Sequence, residues 1–206
     1  MIKKFFSHLL NGILAGLCIA LGGSVFLACD NKYIGALLFC VALLTICSFS
    51  FSLYTGKIGL IVENHKKEDF IVVTTALLGN ALSCAVFGLM IKEGLPALSE
   101  KSAEICLSKL AQFPSQTFIR GIFCGVLMYV AVWIYSNKKS IAGILFCVPV
   151  FILSGFEHSI ADMFYFATAN NFSKNAAVFL LLVVFGNTVG GILIPLLVKI
   201  KKALSD

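Results

Sequence analysis

Charge is scarce in this chain: Asp, Glu, Lys and Arg make up 13% of its 206 residues, against 59% hydrophobic residues. A soluble domain needs about 25% charged residues to face water, so that class is excluded, and a mean hydropathy of +0.98 agrees. Histidine is rare too, and the eight cysteines (Cys18, Cys29, Cys40, Cys47, Cys84, Cys106, Cys124 and Cys147) contain no CxxC spacing. Metal, haem and cluster sites need paired ligands, so a membrane redox enzyme is set aside, no cofactor is expected and no disulfide framework is implied. The cysteines read as small polarizable core residues. A basic soluble module that could hold nucleic acid is also missing.

What the chain has is long apolar runs. A span needs about 20 mainly apolar residues to cross about 30 Å of hydrocarbon, and six stretches qualify, near 9–29, 33–63, 69–91, 115–135, 140–169 and 175–198. In a six-span model, Lys3, Lys4, Lys66, Lys67, Lys138, Lys139, Lys199, Lys201 and Lys202 fall on one side. The smaller group, Lys32, Lys92, Lys101, Lys109 and Lys174, falls on the other. The positive-inside rule then places both termini in the cytoplasm, and the net charge of +6 is mostly a topology signal. Lys3 and Lys4 followed by a run ending in FLAC at Cys29 imitate a secretory leader. Phe26 fits that reading poorly and cleavage leaves an odd number of spans, so the segment is read as a retained span.

The two halves follow one plan. Gly12 and Gly16 in the first span, and Gly121 and Gly125 in the fourth, have the GxxxG spacing that lets helices approach closely. Gly79-Asn80 in the third span matches Gly186-Asn187 in the sixth at nearly the same separation. The expectation is an all-α integral membrane protein: six transmembrane helices forming two inverted three-helix repeats in one domain, 1–206. Repeat one covers about 9–91, an outer loop 92–114 and repeat two about 115–198. The middle span of each repeat is overlong and interrupted, by SFSLYTGKIG (50–59) and by LSGFEHSIAD (153–162). Both are read as broken helices, and paired interrupted segments of this kind point to a transport site.

The second interruption carries Glu157 and His158 side by side within apolar sequence. Charged side chains at a span's centre cost roughly 2.5 to 3.5 kcal/mol and tend to face a protein interior or a pathway. The site is therefore expected between Thr55 and His158. Glu157 is read as turning away from the pore to bond the loose backbone of the break. Lys57 is read as snorkelling toward the cytoplasm, and His8 and His65 as solvated at span ends. In the outer loop, Leu98, Ile105 and Leu110 suggest a short amphipathic helix on the outer surface, with Lys109 a solvated loop lysine on the residues alone.

Four separated blocks, FSLYTG (51–56), AVW (131–133), SGFEHSIADMF (154–164) and FGNTVGG (185–191), resemble the formate/nitrite transporter family. The resemblance implies an aquaporin-like fold, a homopentamer in a prokaryotic inner membrane, and a channel rather than an enzyme. Its substrates would be small monovalent weak-acid anions (formate, nitrite, hydrosulfide or short carboxylates), its other partners protons and membrane lipid. By the same resemblance His158 is the pore histidine and Thr55 its hydrogen-bond partner. Lys109 is then the vestibule lysine that attracts anions, and Phe39, Leu43, Leu53 and Phe151 form two apolar constrictions. Asn80, Asn187 and Gly125 are candidate supporting positions. Two residues depart from the family pattern: Gly125 where the family has an asparagine in span four, and Asp162 where it has an asparagine after the histidine motif. Gly125 leaves the second nitrogen of His158 without the family's partner.

The expected mechanism follows from solvation. An anion pays several kcal/mol to enter a dry Phe- and Leu-lined slit, and a neutral acid pays much less. Burial favours the uncharged form of the acid, and an imidazole at the narrow centre can supply or relay the proton. The competing expectation is an aquaporin-like pore for a small neutral solute, a fold class that shares inverted repeats with two half-helices.

Overall fold

The computed structural model describes residues 2–64 and 66–205. His65, read from the sequence as a solvated span-end residue, lies outside the described residues. In chain order the helices are α1 (Ile2–Ala28), α2 (Lys32–Leu38), α3 (Cys40–Ser48), α4 (Tyr54–Lys57), α5 (Leu60–Glu63), α6 (Lys67–Gly94), α7 (Pro96–Leu110), α8 (Pro114–Lys138), α9 (Ala142–Leu153), α10 (Ser159–Thr168) and α11 (Lys174–Ala203). Four of them, α1, α6, α8 and α11, are long and apolar enough to cross a membrane, each roughly 40 Å at 1.5 Å per residue. The apolar run Lys32–Ser48 and helix α9 are shorter. Large apolar side chains such as Phe146, Leu181 and Phe185 point outward, as expected where the surrounding medium is hydrocarbon. The chain is a multi-pass membrane protein.

Close helix pairing explains the glycines. Helix α1 packs along α6 and α8 along α11. A Cβ added at Gly16 would come within 2.7 Å of the Ser83 Cβ, and one added at Gly125 within 2.4 Å of the Asn187 carbonyl oxygen. Only hydrogen fits at either place, which is how small residues bring backbones together without a hydrophobic driving force.

Both middle segments are interrupted: the first at 49–53 and again at 58–59, with only the single turn α4 between, and the second at 154–158, over fewer residues than the sequence suggested. The two interruptions are built alike. Helix α3 ends with Ser50 at φ 59° and the Phe51 N–H donating to the Ile46 carbonyl at 2.9 Å. Helix α9 ends with Gly155 at φ 68° and the Phe156 N–H donating to the Phe151 carbonyl at 2.9 Å. This is the left-handed cap with a six-to-one bond that satisfies orphan carbonyls at a helix end. The chain then extends briefly and restarts a helix at Tyr54 and at Ser159.

Each restart is stitched to a neighbouring long helix by one asparagine. Asn80 Oδ1 accepts from the Tyr54 N–H at 2.9 Å, while its Nδ2 donates to the Ser52 and Gly12 carbonyls at 3.0 and 2.7 Å. Asn187 Oδ1 accepts from the Ser159 N–H at 2.8 Å, and its Nδ2 donates to the Glu157 and Gly121 carbonyls, each at 2.8 Å. Unwound backbone in a low-dielectric interior needs every polar group partnered, and these amides partner it.

The expected surface helix of the outer loop is instead a strut against α10. Ser99 and Ser102 of α7 donate to the Thr168 and Tyr165 carbonyls at 2.7 and 2.8 Å, near the C-terminal end of α10, where the Tyr165 carbonyl also accepts the Ala169 N–H at 2.9 Å. Its inward edge is the small and polar series Ser99, Ser102, Cys106 and Lys109, with Leu98, Ile105 and Leu110 only partly buried beside it. That edge carries Lys109 inward.

Candidate functional site

His158 closes the second interruption as the N-cap of α10, in extended conformation. Its Nδ1 accepts the Ala161 N–H at 3.1 Å, and its Nε2 lies 2.9 Å from Thr55 Oγ1. An Nδ1 that accepts from a backbone N–H has no proton of its own. The ring is therefore neutral, with hydrogen on Nε2 directed at the Thr55 hydroxyl. Thr55 itself sits in the single turn of α4 rather than in the unwound stretch. The imidazole is 2% exposed and stacks on Phe151 at 5.5 Å between centroids, and Phe39 meets Phe151 edge-on at 6.2 Å. The ring faces the interior of the protein.

Leu53 holds in the first interruption the place that His158 holds in the second, as N-cap of the restarted helix. Two cavities approach these residues. One, of about 210 Å³, is bounded by Phe39, Phe151, His158, Lys109, Glu157 and Asp162. The other, of about 70 Å³, is bounded by Leu53, Phe51, Lys57 and Ser136, and the two share no lining residue. Lys57 is half-buried and also borders a further cavity of about 130 Å³ with Glu63 and Tyr129. Leu43 is buried at 1% exposure and lines neither of the first two. His8 is half-buried within α1.

Lys109 is no solvated loop residue: its side chain is 14% exposed. Its Nζ binds Asp162 Oδ1 at 2.8 Å and Glu157 Oε2, above the Tyr165 ring at 6.0 Å to the centroid. Burial alone would lower the lysine's pKa, but the Asp162 and Glu157 carboxylates outweigh it and hold the ammonium charged above its ordinary range. Glu157 corrects the sequence reading in turn. Its backbone belongs to the interruption, but its carboxylate does not bond that backbone. It takes Lys109 on one oxygen and the Gln112 Nε2 donor, at 2.7 Å, on the other, while Gln112 Oε1 accepts from Thr117 at 3.2 Å. A buried carboxylate that finds an ammonium and an amide within reach has no reason to compete for peptide groups.

Gly125 requires a second correction. Its missing side chain points at the Asn187 carbonyl and the Gly191 nitrogen, not at the imidazole. The two nitrogens of His158 are already satisfied by Ala161 and Thr55. Sequence reasoning placed Asp162 only as a departure and passed over Gln112. Asp162 carried a usable signal, since any carboxylate inside an apolar span marks a functional position by default.

A family model described as "Formate/nitrite transporter" matches residues 2–200. The chain belongs to the formate/nitrite transporter family. That is a family of transporters, so the protein is a transport protein and not an enzyme. Over 184 residues it is 27% identical to the uncharacterized transporter YwcJ of Bacillus subtilis, covering 78% of this chain and 72% of the relative. It is 24% identical to the formate channel FocA of Haemophilus influenzae, covering 79% and 66%. With the nitrite transporter NirC of Escherichia coli the identity is 30%, over 55% of this chain and about half, 48%, of the relative. In three dimensions the chain overlays a solved pentameric formate channel with formate bound, with a TM-score of 0.79 at 23% identity, covering 98% of each chain. A solved FNT family ion channel gives a TM-score of 0.78 at 22% identity, covering 94% of this chain and 87% of the other. At those identities the overlays establish a shared fold.

Proposed function

We propose that this formate/nitrite transporter family member is a channel for small monovalent weak-acid anions such as formate, nitrite, hydrosulfide or short carboxylates. The anion enters the cavity beside Lys109 and crosses the Phe151–His158 barrier as the neutral acid, or together with a proton. The observation that carries the reading is the buried imidazole on the wall of one cavity, stacked on Phe151 and bonded to Thr55, whose chain neighbours Leu53 and Gly56 line a second, separate cavity. The apolar residues Phe39, Leu43, Leu53 and Phe151 form the two constrictions around it. A bare anion loses several kcal/mol of hydration among such side chains, whereas a neutral acid keeps one O–H or S–H donor and loses far less. The Nε2–H and the Thr55 hydroxyl then offer a polar step at the narrowest point.

The architecture proposed with this function is two inverted three-helix repeats, about 9–91 and 115–198, joined by the loop 92–114 in a single domain. The matching asparagine stitches support it. Both termini lie in the cytoplasm, in a prokaryotic inner membrane, on the lysine distribution. A homopentamer is proposed from the fold overlay with a channel described as pentameric.

One observation favours the second reading, an aquaporin-like pore for a small neutral solute: the Lys109 ammonium is already engaged by the carboxyl groups of Glu157 and Asp162. Proteoliposomes separate the two. The first reading expects formate, nitrite and hydrosulfide flux that His158→Ala deregulates and Lys109→Ala lowers. Osmotic swelling with uncharged solutes, together with weak-acid flux unchanged in both variants, would overturn it.

A further inference from the structure

Around Lys109 the charges do not balance. One ammonium faces two carboxylates, Glu157 and Asp162, and all three are buried on the wall of the cavity that reaches His158. Glu157 has donors on both oxygens, Lys109 and Gln112. Asp162 has one on Oδ1 only. Its Oδ2 is buried, receives no hydrogen bond from a donor among the described residues, and belongs to a side chain that is 2% exposed, with the Glu157 carboxyl within hydrogen-bonding reach of the Asp162 carboxyl. An ionised carboxylate is an acceptor on both oxygens, and leaving one oxygen bare and dry is costly. Two carboxylates sharing a site ionise together only with difficulty.

We propose that Asp162 is the proton-holding group of this channel: its Oδ2 carries a hydrogen in the resting state and delivers it to the weak-acid anion in the cavity. The proposal rests on the weak-acid reading for the transfer, but not for the proton itself. In the step, the Asp162 Oδ2–H bond breaks and an O–H or S–H bond forms on the anion, giving the neutral acid and an Asp162 carboxylate. The cluster passes from neutral to one net negative charge, which opposes the return of an anion while the neutral acid moves on past His158. A proton taken up from the outer solution, relayed by water in the cavity, re-forms the Asp162 Oδ2–H bond and returns the cluster to neutral. His158 does not serve as the store, because its Nδ1 is occupied by the Ala161 N–H and its Nε2–H is engaged with Thr55.

The groups facing Asp162 are Lys109 and Cys106 from α7, Glu157 and His158 from the interruption, Cys124 from α8 and Tyr165 on its own helix. Helix α6 contributes Cys84, which donates to the Ile160 carbonyl. Among these only Glu157 and Asp162 are acids of similar strength, and the hydrogen-bond pattern puts the proton on Asp162.

Infrared spectroscopy of the full protein in lipid at neutral pH tests the proton directly. A protonated-carboxyl band is expected in the native protein and should vanish in Asp162→Asn, with Glu157→Gln as the second variant. In proteoliposomes, Asp162→Asn should move the external pH of half-maximal formate flux downward by about one unit or more, a tenfold rise in the proton concentration required. Absence of the band, a band that survives Asp162→Asn, or an unshifted flux profile overturns the proposal. Should Asp162→Asn fail to assemble, the native spectrum and Glu157→Gln still decide it. A band without any weak-acid flux in the native protein would overturn the channel reading and leave the proton on Asp162 standing.

Discussion

Asn80 and Asn187 make the same three hydrogen bonds, each to the first N–H of a restarted helix, to a carbonyl of the interruption before it, and to a glycine carbonyl on a long helix. Both are fully buried. The two halves of the chain thus solve one problem, carrying unwound backbone through an apolar interior, with one side chain each.

Replacing either asparagine with leucine removes these partners without opening a large void. Each polar group left bare costs about 1 to 3 kcal/mol, so Asn80→Leu and Asn187→Leu should both lower the thermal unfolding midpoint in detergent strongly and by comparable amounts. A near-native midpoint in one of them would show that the stitch matters in only one half.

Lys109 should matter for folding as much as for flux. Breaking a buried ion pair from one side costs about 3 to 5 kcal/mol, whereas replacing the whole cluster with neutral groups is often close to neutral. Lys109→Met is therefore expected to destabilise severely, and Lys109→Met combined with Glu157→Gln and Asp162→Asn to recover most of the loss. Unfolding midpoints of the single and triple variants check this, and a triple variant as weak as the single one would contradict it.

Gly125 is a packing residue here. Gly125→Ala places a Cβ 2.4 Å from a backbone oxygen of α11, and overpacking of this kind costs about 1 to 3 kcal/mol. Gly94→Ala, where an added Cβ meets nothing within 4 Å, is the control. Gly125→Asn should fare worse than Gly125→Ala and should leave the response of flux to pH as the native protein has it at whatever level assembles.

The two left-handed caps differ in residue type, Ser50 against Gly155. A non-glycine residue there costs roughly 1 kcal/mol, so Ser50→Gly should raise the unfolding midpoint and Gly155→Ala should lower it. Paired thermal melts check the opposite signs.

Much of this was legible in the residues. Interruptions inside overlong apolar runs, a glycine-asparagine pair repeated in each half, and a lone imidazole in oil all have local signatures, and the structure puts His158 and Thr55 in contact. The orientation of Gly125 was not legible, because a glycine carries no mark of the face it presents and only the Asn187 carbonyl defines it. Helix α7 misled for a related reason. Hydropathy sees Leu98, Ile105 and Leu110, which do pack partly buried against the core, but the edge tied to α10 is made of serines whose carbonyl partners lie far along the chain. Glu157 found its ammonium 48 positions earlier in the sequence, a pairing that no local pattern encodes.

The asparagine stitches also bear on how the protein is made. Tyr54 and Ser52 find Asn80 26 and 28 positions later, and Ser159 and Glu157 find Asn187 28 and 30 positions later. Each interruption is therefore closed by the next long helix to leave the ribosome. The first half can complete its polar accounts before the second has been synthesised, and neither has to wait in the translocon for a distant rescuer.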